Sequence, residues 1–195
     1  MRLPNTAHSS RPWRIHEIAG DFGVEDVWEL PTPGGPDDLD RLVRHFTGIV
    51  GDEQKTPRVV RALMALRWRL GEVVGWDQPR FAVGAQTRSL RERLPGDLQR
   101  APLPDLPRSL FRPIYQTRDE WAGEYADRVL HAVMHLGWVP DDSGNGYHGQ
   151  MAVLVKPTSL QGKAYMLGIR PFRWFLVYPS VFRSLERTWP RSAAG

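Results

Sequence analysis

Two histidines four residues apart, His131 and His135 in "HAVMH", are the side chains of this chain best suited to chemistry, and a third, His148, follows a Gly-rich turn. On a helix, positions four apart share a face, and both imidazoles would reach one metal ion. The two-histidine zinc helix also carries a glutamate directly after the first histidine, as general base. Ala132 stands there instead. On a strand the same spacing separates the two by about 13 Å, at about 3.3 Å per residue. One zinc ion, with Zn–N bonds of about 2 Å, does not span that gap. Helix or strand therefore decides between a metal site and two polar groups on one wall.

The surrounding residues favour the strand. "VLHAVMHLGWV" runs into "PDDSGNG", a dense turn signal, and then "YHGQMAVLVK", which is rich in β-formers. Two such runs about a Gly-rich turn read as a β-hairpin with a loop longer than two residues. Val129, His131, Val133, His135 and Val139 then share one face, and Leu130, Ala132, Met134, Leu136 and Trp138 the other. Both faces are apolar, so both are expected to be covered. Pairing Val139 with Tyr147 would set His131 opposite Val155 and His135 opposite Met151. The histidines would then stand among Val133, Met151 and Val153, as polar groups do in ligand pockets. Hydrogen-bonded core histidines would give the same pattern. No metal is expected.

The elements that must hold this hairpin read as follows. Residues 1–11 are polar and irregular and read as a mobile tail, leaving 12–190 as a single domain. "PWRIHEIA" reads as a short strand with Trp13 and Ile15 on one face, and "LPTPGGPDDL" as a loop. "PDDLDRLVRHFTGIV" is a helix whose stripe is Leu39, Leu42, Val43 and Phe46. The clearest helix begins at Thr56 as N-cap with Pro57 in its first position, and carries Val59, Leu63, Leu66, Leu70 and Val73 at spacings of three and four. Residues 77–113 are Pro-rich, with one short helix expected around Leu90. "IYQTRDEWAGEYAD" is open to strand or helix. The last segment, "SLQGKAYMLGIRPFRWFLVYPSVFRSLERTW", is helical in pattern but broken into two or three pieces by Pro171 and Pro179.

Composition bounds the remaining options. A chain of 195 residues suits one domain and buries enough surface to need no staple. The absence of cysteine excludes disulfides, thiol nucleophiles and thiolate metal sites. Eight tryptophans suit a core or a ligand cavity. No window reads as a signal peptide or membrane span, so a cytoplasmic protein is expected. The net charge is +4, but the basic residues are scattered from Arg2 to Arg191 with acids between them. A nucleic-acid footprint should be localised, which argues against that partner.

"HLGWVPDDSGNGYHGQMAVLVKPTSLQGKAYMLGIRPFRWFLVYP" and "RPWRIHEIAGDFGVEDVWELPTPGGPDDL" together resemble the uncharacterised bacterial family known as domain of unknown function 2867. The order of elements is also similar to the helix-grip superfamily of START and polyketide-cyclase-like domains. That resemblance implies an α+β fold: a curved antiparallel sheet packed against a long, Pro-interrupted C-terminal helix, with a cavity between them. Gly162 would then stand at the start of that helix, where bare backbone allows close approach. In some proteins a similar module follows a nucleotide-binding reductase domain, but this sequence has no Gly-rich dinucleotide fingerprint and no cofactor is implied.

Three functions fit. The first is binding of a small apolar or aromatic molecule between sheet and C-terminal helix, with His131, His135, Tyr165, Arg170 and Trp174 as contacts and Arg170 clamping a carboxylate or enolate. The second is a cyclase- or dehydratase-type enzyme in the same cavity, with His135 as general base and Arg170 stabilising an anion. The third is a peripheral membrane or partner-binding protein acting through the basic, aromatic C-terminal segment. Sequence leaves the ligand and the oligomeric state open.

Overall fold

A computed structural model describes residues 1–51, 56–58, 60–63, 65, 66, 69, 82–85, 87–99, 103, 110–141, 144 and 146–190. Six strands form one antiparallel sheet: β1 (Arg2–Leu3), β2 (Gly23–Glu29), β3 (Arg112–Gln116), β4 (Glu120–Ala126), β5 (Leu130–Pro140) and β6 (Tyr147–Pro157). Their order is β1-β2-β6-β5-β4-β3, so the β5–β6 hairpin lies at the centre. Register shifts between Val24 and Asp26 in β2 and between Pro113 and Tyr115 in β3 mark bulges, which bend a sheet and re-aim side chains.

Each face carries its own core. On one, Ala132, Met134 and Leu136 of β5 and Met151 and Val153 of β6 meet helix α3 (Leu39–Gly51) and the C-terminal helix. The expected α3 stripe of Leu39, Leu42, Val43 and Phe46 is buried there. On the other, Val133, Ala152 and Leu154 meet Trp13, Ile15, Ile18 and Phe22 from the N-terminal segment, and Leu90. Alternation along β5 thus feeds two cores at once, which explains its nearly continuous apolar sequence.

The hairpin register differs from expectation by one residue. Pro140 pairs with Tyr147, so His135 lies opposite Ala152 and His131 opposite Lys156. The turn sets this: the Asp141 amide donates to the Gly146 carbonyl, and Gly144, at φ +71°, donates to the Asp141 carbonyl. A slip of one residue exchanges faces. Met151 and Val153 therefore turn toward the C-terminal helix, and Ala152 and Leu154 stand beside the histidines.

The N-terminal residues expected as a tail are packed. Arg2 and Leu3 pair with Trp28 and Val27 as an edge strand, and α1 (Thr6–Ser9) carries His8, which is fully buried. The expected strand at 12–19 is instead a turn of helix, α2 (Ile15–Ile18). Ile15, Ile18 and Ala19, at helical spacing, reach the core from it. The ambiguous "IYQTRDEWAGEYAD" forms β3 and β4, and a 3₁₀ turn, Leu90–Arg93, stands where a short helix was expected. The helix expected from Thr56 falls largely outside the described residues. The described positions between 58 and 69 are helical; Val60 enters the core, while Leu66, expected inside, is 55% exposed.

The C-terminal helix runs in three pieces, an α segment (Leu160–Phe172), a π turn (Arg173–Val177) and a second α segment (Tyr178–Thr188). Ser159 caps its start by accepting from the Gly162 amide at 3.1 Å. A Cβ on Gly162 would lie 2.0 Å from the Val129 carbonyl oxygen, so only glycine fits this crossing. Pro171 lies inside the first segment and Pro179 in the first turn of the last. Each lacks the N–H its turn would use, and the π turn lies between them.

Candidate functional site

Buried acids stand on both sides of the sheet, and their partners differ. On the N-terminal face, Glu120 and Glu124 lie four apart on β4, across from histidines four apart on β5. Glu120 pairs with Gly137 and Glu124 with Val133, so each glutamate is diagonal to the histidine two residues before its partner. The two diagonals are equivalent. His135 Nε2 lies 2.8 Å from Glu120 Oε2, and His131 Nε2 lies 2.9 Å from Glu124 Oε2.

Glu120 further accepts from the Tyr115 hydroxyl at 2.9 Å and the Arg14 amide at 2.8 Å. Glu124 accepts from the Ser89 hydroxyl and from the Leu90 amide at 3.0 Å. Burial pushes both carboxyl groups up, but the hydrogen bonds from His135 and His131, aided by these further donors, outweigh it and hold both below the usual carboxylate range. With the carboxylate accepting from His135 Nε2–H, His135 Nδ1 is left as acceptor. It lies 3.2 Å from His8 Nε2, which donates to it. Burial lowers His135, against the pull of Glu120. It lowers His8 to about 3, aided by the nearby His135 and His16. Tyr115, Glu120, His135 and His8 thus form one chain of neutral donors on a single carboxylate.

On the helix face the partners are cations and aromatic donors. The β2 bulge lets neighbouring Glu25 and Asp26 both reach the C-terminal helix, where a regular strand would direct them to opposite faces. Asp26 is fully buried. It accepts from the Trp174 indole N–H and, at 3.0 Å, from the Tyr178 hydroxyl. Arg173 Nη2 stands 3.1 Å from Asp26 Oδ2 as an ion pair. Arg170 Nη2 donates to Glu25 at 3.3 Å. Burial raises the Tyr178 hydroxyl, and the neighbouring Asp26 adds to that. The Arg2 guanidinium stacks 3.7 Å over Trp174, while Trp28 packs on Tyr178 and Phe182.

Several buried polar atoms here complete no hydrogen bond: Trp28 Nε1, Arg170 Nε, and Arg173 Nε and Nη2. All are donors. On the N-terminal face the atoms that complete no hydrogen bond are of both kinds, the acceptors His8 Nδ1 and Gln150 Oε1 and the donors Trp13 Nε1 and Arg14 Nε.

The five expected contacts are therefore divided. His131 and His135 face the N-terminal segment, against Phe22 and Trp13. Arg170 and Trp174 meet at the Glu25–Asp26 bulge, and Tyr165 packs partly buried on the helix-side core. Both ring nitrogens of His135 are engaged. Among the described residues, no group of three His, Asp or Glu side chains is placed to hold a metal ion. Sequence reading missed Glu120 and Glu124, whose four-residue spacing mirrors that of the histidines and was the available signal. It also missed His8, Asp26, Arg173 and Tyr178. "VEDVWE" gave no hint of a bulge.

No helix of the described residues is long and apolar enough to cross a membrane. Residues 18–180 match the family described as "protein of unknown function (DUF2867)". No curated protein and no solved structure matches the chain.

Proposed function

We propose, from the premise that the chain belongs to the DUF2867 family of proteins of unknown function, that it binds a small apolar or aromatic molecule carrying an anionic oxygen, where the C-terminal helix crosses β2. The observation that carries this reading is the one-sided surplus: every buried polar atom at that crossing that completes no hydrogen bond, among the described residues, is a donor, and of these Arg173 Nη2 alone is already ion-paired. A buried donor without an acceptor costs about 1–3 kcal/mol, which a guest oxygen would recover. Trp28, Trp174, Tyr178 and Phe182 supply flat apolar walls, and Arg173 and Arg170 supply charge. An open depression at Arg2, Leu3, Pro4 and Asn5 lies beside the Trp174 ring, over which Arg2 stacks. The cyclase- or dehydratase-type alternative draws less support, because His135 lies on the far side of the sheet with both nitrogens engaged.

The test is a titration of intrinsic tryptophan fluorescence with 2-naphthoate, against 2-naphthamide as the neutral analogue. Saturable quenching by the acid, a weaker response to the amide, and loss of the difference in Arg173→Met are expected. Absence of saturable quenching by the acid, or equal binding of both compounds, would overturn the reading.

A further inference from the structure

The C-terminal helix has a second apolar face, turned to solvent. Leu160, Leu167, Phe172, Phe175 and Leu176 are exposed, Leu160 by 81% and Phe175 by 73%. Ala164, Gly168 and Pro171, also exposed, fill the gaps between them. Together they form a stripe about 25 Å long at 1.5 Å per residue. Scattered exposed leucines mean little, but a continuous stripe on one helix marks an interaction surface.

Charge identifies the partner. The helix Leu160–Thr188 carries Lys163, Arg170, Arg173, Arg183 and Arg187 against the single acid Glu186. Outside it the chain holds 21 cations (26 − 5) and 21 anions (22 − 1), so the whole net charge of +4 resides on this helix. Arg170 and Arg173 turn inward to Glu25 and Asp26, while Lys163 borders the stripe and Arg183 and Arg187 continue the exposed face beyond it. Arg183, Arg187 and Ser180, with Glu186 and Pro57, line a shallow open depression. Two-fold pairing of this face with a second copy would oppose Lys163, Arg183 and Arg187 to their own counterparts with only Glu186 to offset them, and like charge disfavours it. A lipid surface with anionic headgroups meets both features at once: apolar side chains enter the acyl boundary, and the arginines meet phosphate.

We propose that the outer face of the C-terminal helix seats the protein on an anionic membrane surface, with Leu167, Phe172, Phe175 and Leu176 inserted and Lys163, Arg183 and Arg187 on headgroups. This goes beyond the ligand reading and does not depend on it.

Co-sedimentation of the full chain with vesicles of phosphatidylcholine alone, or mixed with phosphatidylglycerol, tests the proposal. Binding to the mixed vesicles is expected, weakening as salt rises. Removing Arg183 and Arg187 as glutamines should weaken it about fivefold per arginine. Phe172→Ser with Phe175→Ser should abolish it; both positions are exposed, and an unchanged circular dichroism melt confirms that the variant folds. No sedimentation at low salt, or equal binding to the neutral vesicles, overturns the proposal. So does a concentration-dependent dimer that the serine variant dissolves, because a second copy would then cover the stripe. The naphthoate titration reads the inner side of the helix, so either proposal can fail while the other stands.

Discussion

The two faces of this sheet bury carboxylates by opposite means. On the N-terminal face, Glu120 and Glu124 are surrounded by histidine, tyrosine, serine and backbone donors, with no arginine hydrogen-bonded to either carboxylate through its side chain in the bonds described. On the helix face, Asp26 and Glu25 meet arginines and two aromatic donors, and the donors outnumber the acceptors. Permanent charge with spare donors suits a place that receives an anion. Donors that converge on a carboxylate from several elements suit a clasp. The first face holds the N-terminal segment to the sheet and leaves atoms of both kinds over; on the second, what is left over is donors alone. Spare capacity, more than polarity, separates a candidate binding place from a structural network.

The largest expected effect comes from breaking the charge pair on the helix face. Asp26→Asn leaves Arg173 with only Glu25 at 3.6 Å in a largely buried position. Removing one partner of a buried pair costs about 3–5 kcal/mol. Adding Arg173→Met removes the stranded cation and should restore most of the loss in urea melts. The matching Glu120→Gln on the other face leaves only neutral donors and should cost about 2 kcal/mol. Equal costs for the two substitutions, with no recovery in the double variant, would erase the distinction between the faces.

Acid should then loosen the N-terminal face. His8 titrates at about 3 when folded and near 6.5 unfolded, so between these values the unfolded chain binds the extra proton. Stability therefore rises with pH through that window and is lost as pH falls through it, by up to about 1.4 kcal/mol per pH unit for this one group. His135, lowered in the same way, adds to the slope below its unfolded value. Glu120 and Glu124, held low when folded, contribute stability above the usual carboxylate range that is lost in more acid solution. Urea midpoints measured from neutral pH downward should fall from about pH 6.5. His8→Leu should flatten that fall; an unchanged slope would place the titrating group elsewhere.

The hairpin, the strand reading of "HAVMH", the α3 stripe and the interrupted last helix were legible because each depends on local periodicity or turn chemistry. The register was not. It is decided by how the Asp141–Gly146 turn closes, and a single step exchanged Met151 for Ala152 beside His135. The N-terminal eleven residues looked like a tail because their anchor, His8, is bonded to a residue 127 positions away. Asp26 gave no local sign either, since its burial requires both the β2 bulge and the π turn, each visible only once strand and helix are packed. Of the expected contacts, Arg170 and Trp174 lie together at the β2 bulge, while His131 and His135 lie on the other face. The pairing of faces was lost with the register.

The smallest effect separates the faces most directly. Ser89→Ala removes the hydroxyl bonded to Glu124 Oε1, while the Leu90 amide and His131 both lie on Oε2. The loss should be about 1–1.5 kcal/mol. Trp174→Phe removes one donor from Asp26 in the same way, but Arg173 Nη2 already stands 3.1 Å from that carboxylate with no hydrogen bond completed. A small rotation of the guanidinium would replace what the indole gave, and the bond then formed is charge-assisted. The helix-face substitution should therefore cost less than the serine one, despite removing the larger side chain from a half-buried position. If Trp174→Phe proves the more costly in paired urea melts, the donors at the crossing are not in surplus, and the argument that a guest oxygen completes them fails with it.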